Sequence, residues 1–579
     1  MVNISNADYS RIRYIFLFLL SLFFLVIVKL FVTQVVHRNY WVKIATAQHK
    51  GVHKIQAQRG EIYTSDGFPI ALSGYTYELY IDPSLSDVSS EELQKVFDVV
   101  YKDFPKESSL SLEDKKVYWA NALMNKNLRF YSLEKQISST LKQELQNLQI
   151  KGLGFLPVPT RTYPNLESYS HILGFVGNDE SGQDKGYFGL EGYYDGDLKG
   201  VDGFVTQESS AGGSPILFGE YSSYSAIQGG NLHLTLDRVM QNMSFNALKT
   251  SVEKFGASSG TVVIVNPKTG AILSLVNYPT YSPLNYSYYY SNDPDIFVNK
   301  AISATYEPGS VIKALTVSAA LDSGAVNTDT TVLDSGPVDF SGYIVDNWDK
   351  KHHGEISISQ VLQLSNNIGA AKVGGLAGRE SLHKYFKLFG IGEKLGVDLE
   401  GEESGTFSDS AGWYDIDLAA AAFGQGMSTT PLQVVMAFSA IANDGVLMRP
   451  YLVERIDKNG KILENKPTQI QRVMSSKTAN SMNMLLTEAV SGGEAKYFVS
   501  KKYNVAGKTG TAQIAENGVY LDDKSNATFV GFLPSYKDFV MLVKLERPTS
   551  SIYASETAVP LWMEISEGVA GYLGLPPDK

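Results

Sequence analysis

Tyr306-Glu307-Pro308-Gly309-Ser310-Val311-Ile312-Lys313 sets a serine and a lysine three residues apart at what reads as the start of a helix. Pro308 and Gly309 interrupt whatever precedes them, and the apolar run Ala314 to Leu321 is helix-compatible until Gly324 supplies a stop. Residues i and i+3 share one helix face, so the Lys313 amine comes within reach of the Ser310 hydroxyl. A serine hydroxyl is a weak nucleophile until a base takes its proton, and a neutral lysine is such a base. A helix start favours negative charge developing near Ser310, while burial or a second cation would lower the pKa of Lys313.

The spacing alone is weak. Ser132/Lys135 and Ser251/Lys254 repeat it, and at both a solvated helix face is the expected reading. Two downstream elements set Ser310 apart. Ser365-Asn366-Asn367 supplies a Ser-x-Asn element and Lys508-Thr509-Gly510-Thr511 a Lys-Thr-Gly element, in that order. These patterns also have decoys, at Ser244-Phe245-Asn246, Ser481-Met482-Asn483 and Lys268-Thr269-Gly270. Order, spacing and local structure select the set.

The three elements together are those of penicillin-binding proteins and class A β-lactamases. With its flanking sequence, the chain resembles a class B penicillin-binding protein, the monofunctional peptidoglycan D,D-transpeptidase. The Tyr-Glu-Pro-Gly-Ser context is most similar to the septal, division-specific branch. The resemblance runs from about residue 14 to the C-terminus. It implies an α+β/α/β multidomain fold: a single transmembrane helix, an extended dimerisation-like pedestal, and a transpeptidase domain like that of serine β-lactamases. In that domain helices cover an antiparallel sheet and an all-helical subdomain adjoins it. The expected limits are a cytoplasmic tail at 1–13, an anchor at 14–36, the pedestal at 37–228 and the transpeptidase domain at 229–579.

The 579 residues allow several domains, and 44% hydrophobic content is ordinary for globular protein. A net charge of -11 without clustered Lys and Arg argues against nucleic acid as a partner. Zero cysteines exclude disulfides, thiolate metal sites and a cysteine nucleophile.

Tyr14 to Val36 is long and apolar enough to cross a bilayer, with Lys29 near one end able to snorkel. No small-x-small cleavage site comes after it, and Tyr40 and Trp41 suit an interface, so a retained anchor is favoured over a cleaved signal peptide. Basic residues flank both ends, and the N-inside orientation in a bacterial plasma membrane is taken from the resemblance.

Gln58-Arg59-Gly60-Glu61-Ile62-Tyr63, a turn at Ser65-Asp66-Gly67 and Pro69-Ile70-Ala71-Leu72 read as strand, turn and strand. They look like the Arg-Gly-x-Ile motif that opens the family's pedestal, although Thr64-Ser65 stands where the family often has Asp-Arg. Leu133, Ile137, Leu141 and Leu145 recur at helical spacing within a charged stretch from about Ser89 to Leu148, which predicts a surface helix. Arg161-Thr162-Tyr163-Pro164 and Gly189-Leu190-Glu191 resemble later pedestal motifs. Arg59, Gly60, Arg161, Gly189 and Glu191 are expected to be structural, with the charged members paired in a buried or half-buried setting. His171 reads as a hydrogen-bonded core residue, and no metal-ligand spacing accompanies it.

Leu232 to Asp237 reads as the opening of the second domain, succeeded by a helix from Arg238 to about Phe255. Thr261 to Val265 and Ala271 to Val276 flank Asn266-Pro267-Lys268-Thr269-Gly270 as a hairpin, which makes that Lys-Thr-Gly a turn. Tyr286 to Tyr290 is expected to pack as a loop. Ser365 is expected at a loop or helix junction, with a helix cap as its alternative role. Tyr503 to Ile514 reads as one strand beside a cleft, with Gly510 allowing close approach of a ligand backbone. Phe423 to Gln433 looks like the family's domain-closing helix. Phe529 to Phe532 and Val540 to Leu545 read as strands and Pro560 to Tyr572 as a terminal amphipathic helix, with no appended repeat domain expected.

The resemblance implies roles by position. Ser310 is the nucleophile and Lys313 its base; Ser365 joins the proton relay; Asn367 hydrogen-bonds substrate amides. Lys508 holds Lys313 neutral and, with Thr509, Gly510 and Thr511, binds a substrate carboxylate. The backbone N–H groups of Ser310 and Thr511 form the oxyanion hole. Substrate would be the D-Ala-D-Ala end of peptidoglycan stem peptides, β-lactams would acylate the same serine, and no metal or organic cofactor is implied. Partners would be a membrane glycan polymerase and the division machinery. The alternatives are an elongation-specific transpeptidase, a membrane-bound β-lactamase or D,D-carboxypeptidase, and a β-lactam sensor or silent scaffold.

Overall fold

The computed structural model describes residues 6–85, 88–102, 112–128, 130–164, 166–208, 221–340, 342–516 and 519–579. The chain falls into two compact units, one of residues 1–57 with 200–228, the other of 58–199 with 229–579. In the first, the apolar helix Asn6–Phe31 continues through a π-helical turn, Val32–Val36, into a helix at Arg38–His49. Its stretch Ser10–Val36 has a mean hydropathy of 3.0 over its most apolar window, none of it buried in protein, and is long enough to span a bilayer. Strand Lys50–Ile55 then pairs antiparallel with Gly203–Glu208, which pairs with Tyr221–Tyr224.

The second unit is built on a five-stranded antiparallel sheet. Its strands run in the order Ile272–Tyr278, Ser259–Val265, Val540–Glu546, Val519–Phe532 and Ala506–Glu516. Both faces of the middle strands are covered, which is why Ser259 to Val265 is buried at every residue. Val262 and Ile264 meet helices Arg238–Phe255 and Ala558–Tyr572, while Val263 and Val265 face the opposite core. The helix Arg238–Phe255 has the limits read from sequence. Asp237 caps its first turn and Gly256, in the left-handed region at φ 61°, ends it. The hairpin around Lys268-Thr269-Gly270 is likewise present.

A seven-stranded sheet joins Asn231–Leu234 to Ile62–Tyr63 in parallel and to Val453–Lys458 antiparallel. The strand at which the second domain was read to open therefore lies beside Ile62–Tyr63, the strand of the Arg-Gly-x-Ile segment.

Four local expectations are corrected. Leu133 and Ile137 lie on strand Tyr131–Ile137, and only Leu141 and Leu145 lie on a helix, Ser139–Asn147. A four-residue spacing returns to the same face in a strand as well as in a helix, so the period misled. Residues 103–111 and 129 of that stretch lie outside the described residues. The same strand carries Ser132 and Lys135, which are not on a helix, and Ser251 of the other decoy is buried. Tyr286 to Tyr290 is helical within Tyr286–Asn292, with Tyr286 stacked on Phe175 at 4.6 Å. Phe423 to Gln433, read as a domain-closing helix, is not one helix: Phe423 ends helix Asp415–Phe423 and Pro431 begins helix Pro431–Ala442, which is buried along its whole length, packed on the sheet and against helix Ser476–Gly492. Its residues are nearly all apolar, so it is a core helix with no solvent face.

Candidate active site

Ser310 sits on a 3-10 turn, Gly309–Ile312, that runs into helix Lys313–Asp322. Gly309 is in the left-handed region at φ 57°, and a Cβ there would stand 3.2 Å from that of Ala512. Gly510 makes the matching approach from the edge strand Ala506–Glu516: a Cβ on it would come within 2.9 Å of Val311 Cγ1 and 3.1 Å of the Pro308 carbonyl. The close approach expected of a ligand at Gly510 is therefore that of the serine turn itself. These two glycines let the turn lie against the strand.

The Lys313 side chain is wholly buried. Its Nζ lies 3.0 Å from Ser310 Oγ, 3.2 Å from Ser365 Oγ and 2.7 Å from Asn367 Oδ1, and it also contacts the Ser365 carbonyl. From the other side, Lys508 Nζ lies 3.0 Å from the same Ser365 Oγ and 3.1 Å from Thr509 Oγ1. Ser365 thus bridges two buried amines. Burial holds the Lys313 pKa well below the usual lysine range; the nearby Lys508 pushes it further down and Glu494 opposes both. Lys508 is depressed by burial too, again against the pull of Glu494. A neutral amine next to a serine hydroxyl is an activated nucleophile and its base.

Ser365 lies between helices Ile358–Gln363 and Asn367–Ala377 with a positive φ of 52°, uncommon for a residue with a Cβ. The cap that sequence offered as its alternative role belongs to its neighbour, since Asn366 Oδ1 accepts from Gly369 N at 2.6 Å. Asn367 spends its amide oxygen on Lys313 and donates through Nδ2 to the Asp346 carbonyl at 3.0 Å. Thr509 turns its hydroxyl to Glu494 Oε2 at 3.1 Å, and Thr511 Oγ1 accepts from Ala554 N at 3.1 Å. Thr509 thus spends its hydroxyl proton within the protein, whereas Thr511, an acceptor here, keeps its O–H for a carboxylate.

Sequence reasoning missed two acids. Asp334, fully buried, accepts from Asn366 Nδ2 at 2.7 Å, Asn347 Nδ2 at 3.0 Å and His353 N at 3.0 Å, all on one oxygen. Asn347 Oδ1 in turn accepts from the Asn367 and Ile368 N–H groups. Burial pushes the Asp334 carboxyl up, but these donors outweigh it and hold the group below the usual range. Glu494 is the other. Neither belongs to a short motif or a hydrophobic period, so no sequence signal marked them.

The pedestal residues form a separate cluster. Glu191, fully buried on the short helix Gly189–Tyr193, receives Arg59 Nε at 2.5 Å and Arg161 Nε at 2.8 Å. Arg161 also donates to the Gly60 carbonyl at 2.7 Å, and Arg59 to Asp195 at 2.7 Å. His171 is buried with Nε2 2.9 Å from the Ile296 carbonyl, and burial pushes its pKa down to about 4. Among the described residues no cluster of His, Asp or Glu is arranged to hold a metal ion.

The sequence matches the family described as penicillin binding protein transpeptidase domain over residues 260–567, and the penicillin-binding protein dimerisation domain over 54–234. The chain belongs to the class B penicillin-binding proteins. This penicillin-binding protein is 30% identical to stage V sporulation protein D of Bacillus subtilis, over 100% of its own length and 88% of the relative's. It is 27% identical to peptidoglycan D,D-transpeptidase FtsI of Escherichia coli, over 94% and 89%. Its fold is shared with penicillin binding protein 2X of Streptococcus thermophilus, at a TM-score of 0.75 and 24% identity, covering 91% of this chain and 80% of that one.

Proposed function

We propose that this penicillin-binding protein is a serine-type peptidoglycan D,D-transpeptidase working through an acyl-enzyme on Ser310. The observation that carries the reading is the Lys313 amine 3.0 Å from Ser310 Oγ with Ser365 Oγ linking it to Lys508. Ser310 Oγ attacks the carbonyl of the penultimate D-alanine while Lys313 takes its proton. The tetrahedral oxyanion is stabilised by the Ser310 and Thr511 N–H groups. The proton passes by way of Lys313 and Ser365 to the leaving amine, and the terminal D-alanine departs. An amine of a neighbouring stem peptide then attacks the ester, restoring Ser310 and forming the cross-link. Lys508 anchors the substrate carboxylate, with Gly510 and the Thr509 and Thr511 hydroxyls beside it, and the free N–H of Asn367 meets a substrate amide. A β-lactam enters the same path and stops at the ester.

The cellular role is part of this proposal: single-pass in the plasma membrane with the catalytic domain outside, in septal wall synthesis with a separate glycan polymerase. The domain limits 1–13, 14–36, 37–228 and 229–579 belong to it too. The name of the E. coli relative and the Tyr-Glu-Pro-Gly-Ser context support the septal role. Labelling purified protein with a fluorescent penicillin tests the chemistry: a stable label on wild type that is lost in Ser310→Ala is expected. Label persisting in the variant would mean another nucleophile, and none on folded wild type a non-catalytic protein. Depletion tests the role, with filamentation expected. Rounding would move it to elongation, and intact division with blocked spore formation to the process named for the Bacillus relative.

A further inference from the structure

The cleft buries two lysines against one serine, and electrostatics requires that something decide which of them carries the charge. The carboxylate that acts on both is Glu494, on the short 3-10 helix Glu494–Tyr497. One hydroxyl stands between it and Lys508. Thr509 Oγ1 accepts from Lys508 Nζ at 3.1 Å and donates to Glu494 Oε2 at 3.1 Å, so Glu494 is two hydrogen bonds from Lys508. Lys313 is further along the chain of contacts, beyond Ser365. A cavity of about 10 Å³, room for one water, lies among Gln363, Glu494, Lys508 and Thr509.

We infer that Glu494 is a positioning residue of the acylation reaction, acting through Thr509 to keep the positive charge on Lys508 and leave Lys313 as the neutral base. The inference rests on the transpeptidase reading. A carboxylate attracts the nearer cation more strongly, and once Lys508 holds the proton its own charge disfavours a second one on Lys313. Among the described residues, the charged groups acting on this pair are Lys313 from the serine helix, Lys508 from the edge strand and Glu494 from the short helix. Their order in space makes the two amines unequal. The Thr509 hydroxyl, expected from sequence to meet substrate, serves here as the link between acid and cation.

The test is the pH profile of penicillin acylation by the purified full-length protein, for wild type, Glu494→Gln, Thr509→Val and the double variant. Acylation needs Lys508 charged and Lys313 neutral. Removing the carboxylate charge lowers the Lys508 pKa, so the alkaline limb of the profile moves toward acid, by about half a unit or more. The acid limb moves the same way and less. Glu494→Gln keeps an acceptor for the Thr509 hydroxyl, so a purely structural role predicts an unmoved profile. Thr509→Val breaks the link and carries the same test independently of whether Glu494→Gln folds; it is expected to shift the alkaline limb alike, with the double variant no further shifted and Glu494→Asp recovering most of it. Profiles of Glu494→Gln and Thr509→Val that superimpose on wild type overturn the inference and leave the transpeptidase reading standing. Absence of labelling on folded wild type overturns both.

Discussion

The cluster at Glu191 and the cleft at Ser310 both bury basic side chains, and they do opposite things with them. Around Glu191 two guanidiniums meet two carboxylates in direct contact, Arg59 with Glu191 and Asp195, Arg161 with Glu191. In the cleft two amines face hydroxyls, an amide and two carbonyls, and the nearest influential acid stands off behind Thr509. Paired burial keeps both partners charged and turns them into a clasp. Burial with an acid only at a remove makes charge expensive, so a lysine gives up its proton and becomes a base. The type of residue matters as well: arginine keeps its proton at any accessible pH, whereas lysine is readily neutralised.

That contrast is most sharply tested at Lys313. Lys313→Met is expected to lower penicillin acylation by on the order of a hundredfold to ten-thousandfold, while thermal stability stays level or rises. An apolar side chain of similar length should suit the buried site at least as well as an amine. A large loss of melting temperature would mean that this lysine is paired as the pedestal arginines are. The direction of its pKa shift also sets the pH dependence. Acylation falls as pH drops through the depressed Lys313 pKa, because protonation removes the base.

Glu191→Gln is the converse change. It leaves Arg59 and Arg161 buried with their main charge partner gone, which is expected to cost about 3 to 5 kcal/mol of stability in denaturant unfolding. Acylation per folded molecule should change little. A selective fall in acylation with stability intact would break the division between clasp and catalyst.

The smallest expected effect is at Asp334, which shares features of both regions: a buried charge like Glu191, wired to the Ser-x-Asn loop like the cleft. Asp334→Asn should cost about 1 to 3 kcal/mol, since an acceptor for three donors becomes partly a donor. Through Asn347 and Asn366 it should also slow acylation, by about tenfold if the Asn367 contact with Lys313 loosens. Unchanged acylation at reduced stability would place Asp334 with the pedestal cluster.

Where neighbours in sequence decide the conformation, the sequence was legible. The helix Arg238–Phe255 and the hairpin at Lys268 arise from a cap, a terminating glycine and β-branched runs, all acting over a few residues. Ser310 and Lys313 meet because a turn of helix brings i and i+3 together. The errors arose where a local pattern had two readings, as with Leu133 and Ile137, or where the partner was remote. Gly510 was rightly marked as a place of close approach, but only the fold identifies Val311 and Pro308 as what approaches.

By itself the sequence determined the chemical inventory: two serines, two lysines and an asparagine, in an order that identifies the family. Tertiary structure decided the state of that inventory. Lys313 and Ser365 are 52 residues apart, and Ser365 and Lys508 are 143 apart, yet one hydroxyl touches both amines. Protonation depends on burial and on distances to other charges, and both are properties of the packed chain. One of the side chains that set them here, Glu494, looks like any surface acid until the chain has folded around it.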